Sequence, residues 1–164
     1  MENKNCETIE QISKTYTAPY REARTSCRAI IVADGKILLS HESKTGFYMS
    51  PGGSLEEGET FEECVVREVM EETGFAVSPV KHFVTVNEYC YDILYISQYF
   101  ICEIVGEGER ALTETEVYKG MVPKWVGLND AVDIFGTYKK HTPDKESLYL
   151  RELTVINRYM QSEK

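Results

Sequence analysis

The sequence predicts an α/β fold, a mixed β-sheet with helices on both faces, and three observations carry that prediction. Runs rich in Val, Ile, Tyr and Phe cover Thr25–Ala33, Lys36–Ser40, Val80–Tyr91 and Ile93–Val105. A helix-length segment, Thr60–Thr73, separates the first two runs from the last two. Two more helical segments close the chain, after a short strand that carries Trp125. At 164 residues the chain suits one domain with a proper core. The expected division is an N-terminal arm, residues 1–22, followed by a single domain over residues 23–164, with no internal repeat or linker.

The arm is polar with scattered Ile12, Tyr16 and Tyr20, which leaves open a loose arm, a short helix or a segment exchanged in a dimer. Asp34-Gly35 joins the first two strands, because a two-residue hairpin turn needs positive φ at both central positions. Phe47–Met49 reads as a short extended piece and Pro51-Gly52-Gly53 as a turn. Thr60 with Glu63 forms a capping box at the start of the helix, and Gly74 stands where a glycine ends one. The two long strands meet at Tyr91-Asp92, and Gly106–Lys119 reads as an acidic loop. Pro123–Gly127 is a strand, and Asn129 caps a short helix that stops at Gly136. Thr142-Pro143-Asp144 opens the last helix, where Tyr149, Leu153, Ile156 and Met160 form one apolar side.

A net charge of −9 argues against long nucleic acid as a partner, since such binding needs a cationic surface. A polyphosphate remains compatible if metal ions reverse the local sign. Cys6, Cys27, Cys64, Cys90 and Cys102 form no CxxC pair and read as free, mostly buried thiols, which suits a reducing compartment. The N-terminus shows no apolar signal region, and no run of ~18 apolar residues occurs, so a cytoplasmic protein without a membrane partner is expected.

The chemistry is carried by Gly53 to Phe75. On a helix at ~100° per residue, Glu68 and Glu72 share a side with Phe61 and Val65, and Glu71 lies beside them. Carboxylates three and four apart repel one another, and these fall where the helix should meet the core. Such a cluster calls for cations, and hard oxygen ligands suit Mg²⁺ or Mn²⁺. Gly52 and Gly53 let the backbone come close to a metal or a phosphate. Arg67 can pair with Glu63, Glu71 or Glu59 and so fix the cluster.

Gly53, Glu59, Arg67, Glu68, Val69, Glu71, Glu72 and Gly74 fit the pattern G-x5-E-x7-R-E-U-x-E-E-x-G-U without a gap, U being a bulky apolar residue. The stretch resembles a complete Nudix box, with Phe75 where an aliphatic residue is commoner. The resemblance implies an α/β/α sandwich and Mg²⁺- or Mn²⁺-dependent hydrolysis of a nucleoside diphosphate linked to another moiety. It makes Glu68 and Glu72 the chief metal ligands, with Glu71 and the Gly53 backbone completing the set. Glu59 and Arg67 would orient them. The general base it implies is Glu68 or a loop glutamate, for which Glu114 and Glu116 stand as candidates. Many relatives are dimers, so a homodimer is an expectation of the same kind.

Weaker features have plain readings as well. Arg28 interrupts an apolar strand and either binds substrate phosphate or serves a structural ion pair. Tyr91 stands about sixteen residues beyond the box, where a tyrosine marks some diadenosine-polyphosphate members, though tyrosine also simply favours strands. The proline of many ADP-ribose members, the SQPWPFPxS array of NADH members and the coenzyme A signature are all missing. The expected substrate is therefore a small nucleoside diphosphate derivative of unspecified leaving group. Action on RNA 5′ ends fits the negative charge poorly. The rival reading is a catalytically silent nucleotide- or ADP-ribose-sensing module on the same fold, against which the intact carboxylate set argues.

Overall fold

A computed structural model describes residues 6–164. The strands are β1 (Glu7–Ile12), β2 (Glu22–Ile30), β3 (Val32–Ala33), β4 (Lys36–Glu42), β5 (Tyr48–Met49), β6 (Gly52–Ser54), β7 (Phe75–Cys90), β8 (Ile93–Glu107) and β9 (Met121–Gly127). The helices are α1 (Phe61–Thr73), α2 (Glu114–Lys119), α3 (Leu128–Phe135) and α4 (Pro143–Ser162). A mixed five-stranded sheet runs β1-β7-β8-β2-β6, with β1 parallel to β7 and β2 parallel to β8. A smaller antiparallel sheet joins β3, β4 and β5, and β9 pairs with β4.

Side chains alternate across β2, so each face is apolar for its own helix. Cys27 and Ala29 pack with Leu38 and Phe100 against Cys64, Val65 and Val69 of α1. Ile30 packs with Ile37, Leu39 and Tyr99 against Phe135 of α3 and Tyr149 and Ile156 of α4. The expected sheet flanked by helices is thus observed, and the apolar side of α4 is the one that Tyr149, Leu153, Ile156 and Met160 define. Asp34 (φ 51°) and Gly35 (φ 73°) make the anticipated hairpin turn. Thr60 and Glu63 form the anticipated capping box, and Gly74 ends α1 in the left-handed region.

Five local expectations change. Glu7–Ile12 of the arm is neither loose nor helical but the parallel edge strand β1; Met1–Asn5 lie outside the described residues. Pro51–Gly53 is not a turn, because Gly52–Ser54 lies extended against β2, pairing Gly53 with Cys27. The glycine is needed for proximity: a Cβ at Gly52 would run into the Cys27 carbonyl and the Arg28 backbone. The acidic loop contains α2, started by a second capping box, Thr113 with Glu116. Asn129 does not cap α3; Gly127 precedes Leu128 without a side-chain cap. Phe61 points outward, leaving Val65 and Glu72 on the buried side of α1.

Candidate active site

The site forms where α1 crosses β6. Arg67 is its organiser. Its Nε and Nη2 donate to the two oxygens of Glu59 at 2.7 and 3.0 Å, and Nη2 also reaches the Ser54 carbonyl at 3.0 Å. Nη1 donates to Glu68 at 2.8 Å and Glu71 at 3.3 Å. Glu63, the remaining candidate partner, is occupied by the capping box. The bidentate pair holds the Glu59 carboxyl down at about 2 and raises the Arg67 guanidinium in turn.

Glu68 and Glu72 lie in a different environment. Glu72 is 3% exposed and accepts the Gly52 N–H at 2.8 Å. Burial pushes its carboxyl up to about 7, against the lowering pull of that N–H and of Arg28. Burial also raises Glu68, only partly offset by Arg67. Gly53 lies directly beneath the Glu68 carboxylate, with which any Cβ there would collide. Ser40 on β4 and Arg28 on β2 approach Glu72 as well. Each keeps one buried polar atom, Oγ and Nε, without a hydrogen-bond partner.

This donor set suits a hard divalent cation: three carboxylates, two of them desolvated by burial, beside the glycine backbone. Among the described residues no three His, Cys, Asp or Glu side chains are already gathered as a metal cage, and Glu68 is turned onto Arg67. Arg67 Nη1 engages one oxygen of Glu68, Oε1, and leaves the other without a hydrogen-bond partner among the described residues. Of the two loop candidates, Glu116 has a negative charge that raises both Glu68 and Glu72. Glu114 is not among the groups that chiefly shift either one, and both glutamates lie in the first turn of α2, where Glu116 also accepts the Thr113 N–H.

Arg28 also links two adjoining clefts. One, of about 210 Å³, runs past Gly53, Ser54 and Tyr95. The other, of about 260 Å³, is lined by Tyr91, Tyr95, Lys145, Leu148 and Arg151. Arg28, Tyr95 and Arg151 line both clefts, the first reaching Gly53 and the second Tyr91, while the α1 carboxylates line neither and Gly52 is bonded to Glu72.

Sequence reading missed the buried polar layer behind these clefts. Arg151 donates to Glu88 at 3.0 Å, to Tyr99 at 2.9 Å and to Glu152 at 3.3 Å. Glu152 in turn accepts from Ser50 Oγ at 2.6 Å. A signal was present: Glu152 falls between Tyr149 and Ile156 on the apolar side of α4, a charge inside a buried stripe like those of α1.

A helix thus aims carboxylates at a glycine pair, with an arginine-bearing cleft beside them, on an α/β scaffold. The sequence profile of the NUDIX domain matches residues 23–151, so the chain belongs to the Nudix hydrolase family. An NAD-capped RNA hydrolase NudC from Vibrio atlanticus is 54% identical over 59 residues, 33% of this chain and 22% of its own. The uncharacterized Nudix hydrolase YvcI of Bacillus subtilis is 36% identical over 58 residues, 35% of each chain. The chain thus spans far less than two thirds of the curated relatives it matches. Among solved structures, a NUDIX hydrolase from Nitrosomonas europaea superposes with a TM-score of 0.66 at 24% identity, covering 87% of this chain and 91% of that one. An ADP-ribose pyrophosphatase from Streptococcus suis gives 0.56 at 20% identity, over 86% and 94%. At these identities both likenesses speak for the fold. No helix of the described residues is long and apolar enough to cross a membrane.

Proposed function

We propose that this chain hydrolyses the diphosphate linkage of a small nucleoside diphosphate derivative, with Mg²⁺ or Mn²⁺ held by Glu68, Glu71, Glu72 and the Gly53 backbone. The observation that carries the reading is Glu72: a carboxylate 3% exposed, with one N–H partner and no counter-ion bonded to it. A group so placed costs stability unless something cationic joins it. Bound there, the cation neutralises diphosphate charge and acidifies a water.

The chain's own residues do the rest. Arg67 fixes Glu59, Glu68 and Glu71 relative to the Ser54 carbonyl, so the carboxylates need little reorganisation. Arg28 lines both clefts beside Gly53, where its guanidinium is placed to pair with an anionic phosphate oxygen. Glu68 or Glu116 accepts the proton of the attacking water, and the cleft reaching Tyr91 holds the organic part of the substrate. ADP-ribose, nucleotide sugars, dinucleoside polyphosphates and nucleoside triphosphates all meet this description. The NAD-capped RNA relatives match a third of the chain, which brings NAD-type dinucleotides into the same set.

The test is product chromatography on that panel with Mg²⁺ or Mn²⁺, beside the Glu72→Gln protein. Metal-dependent cleavage by the parent and its collapse in the variant support the reading. A folded parent that binds panel compounds and cleaves none of them moves the site to nucleotide sensing.

A further inference from the structure

We propose that Glu152 is a positioning residue for this chemistry: it holds the Ser50–Gly53 segment at the place from which Gly52 and Gly53 meet Glu72 and Glu68. The inference rests on the reading of the carboxylate site given above. Glu152 lies on α4, just outside the stretch that the NUDIX profile matches. It is 2% exposed and accepts four hydrogen bonds from three elements of the fold. Ser50 supplies two, from Oγ at 2.6 Å and from its backbone N–H at 3.3 Å. Tyr99 Oη donates at 3.1 Å and Arg151 Nη2 at 3.3 Å.

The segment held in this way touches three residues of the site, Arg28, Glu72 and Glu68. The Ser50 carbonyl accepts from Arg28 Nη1 at 3.0 Å, and the Pro51 carbonyl from the Ala29 N–H at 2.9 Å. Gly52 donates to Glu72 at 2.8 Å. Gly53 packs under the Glu68 carboxylate with no room for even a methyl group. A small shift at Ser50 therefore moves Arg28, Glu72 and Glu68 together.

Stability alone does not account for the arrangement. A buried ion pair is commonly no better than an apolar cluster of the same volume, and removing one partner is strongly destabilising. Here Arg151 is shared by two buried carboxylates, Glu88 and Glu152, and only Glu152 reaches the catalytic segment. An apolar residue at 152 would fill the space and leave the Ser50 hydroxyl and N–H without an acceptor. What the carboxylate supplies is a fixed address for Ser50.

The experiment compares the full-length protein with Glu152→Gln, Ser50→Ala and Ser147→Ala. Ser147 loosens the same polar layer from its far end, through Glu88 and Gln11, without touching Ser50. Three readouts are taken: amide hydrogen exchange at Gly52 and Gly53, the Mn²⁺ concentration for half-saturation, and kcat and KM on the cleaved panel compound. Glu152→Gln and Ser50→Ala are expected to speed Gly52 exchange and weaken Mn²⁺ binding ~10–100-fold, with kcat falling more than KM changes. Ser147→Ala is expected to keep wild-type values on all three. Wild-type exchange and metal affinity in folded Glu152→Gln and Ser50→Ala would overturn the proposal, as would equal losses in Ser147→Ala. If the parent cleaves nothing, the hydrolase reading fails by itself, and exchange with Mn²⁺ affinity still decides the role of Glu152.

Discussion

Glu72→Gln separates stability from function in one substitution. In metal-free protein the Glu72 carboxyl is pushed from its ordinary 4.5 up to about 7, chiefly by burial. Between those values the folded chain keeps a proton that the unfolded chain has released, so stability falls as pH rises through the window. At ~1.4 kcal/mol per decade of proton affinity, the full penalty above pH 7 comes to about 3 kcal/mol. Glutamine removes the charge and keeps an oxygen for the Gly52 N–H, while its amide finds the unpartnered Ser40 Oγ within reach. The assay is urea unfolding in EDTA of both proteins at pH 5 and pH 8. Taking the difference between them cancels the titrating groups that lie away from Glu72. The variant is expected to exceed the parent by about 3 kcal/mol at pH 8 and by far less at pH 5. It is also expected to lose the stabilisation that Mg²⁺ or Mn²⁺ gives the parent at pH 8. A variant no more stable than the parent at pH 8, or a difference independent of pH, would refute the argument from burial.

Three further outcomes follow from the same contacts. Gly53→Ala drives a Cβ into the Glu68 carboxylate and should cut turnover at least ~10-fold while circular dichroism stays native, since the clash ends at one side chain. Arg151→Met leaves Glu88 and Glu152 buried without their cation, and urea unfolding should show a loss of about 3–5 kcal/mol. Glu116→Gln should lower kcat and move the acid limb of the pH–rate profile to lower pH, because its charge raises Glu68 and Glu72, whereas Glu114→Gln should do neither.

Much of this was readable before the structure, for reasons that differ by element. Asp34-Gly35 and the Thr60–Glu63 box are local rules of backbone chemistry, satisfied within a few residues, and both held. The carboxylates of α1 were legible because they contradict local rules: acids where an amphipathic helix should be apolar mark a site. The strand β1 escaped because Glu7–Ile12 is polar on most of its length and owes its conformation to pairing with β7, more than seventy residues away in sequence. The strand β6 escaped similarly, since Pro-Gly-Gly carries turn propensity that pairing with β2 overrides. Thr113 and Glu116 obey the same capping rule as Thr60 and Glu63, so α2 was readable and was hidden by its acidic composition. The Arg151–Glu152 layer shows itself as charges in a buried stripe, but their partners Glu88, Tyr99 and Ser50 come from elements that only the tertiary fold brings together.

The central claim is that water attacks phosphorus of a diphosphate held against Glu68, Glu72 and Gly53. The most direct measurement is a reaction in ¹⁸O-labelled water with a cleaved panel compound and Mg²⁺ or Mn²⁺, each phosphate product being weighed by mass spectrometry. One product is expected to carry a single ¹⁸O on phosphorus, with no label incorporated by Glu72→Gln or in EDTA. Unlabelled phosphates, or label taken up equally without metal, would contradict the account.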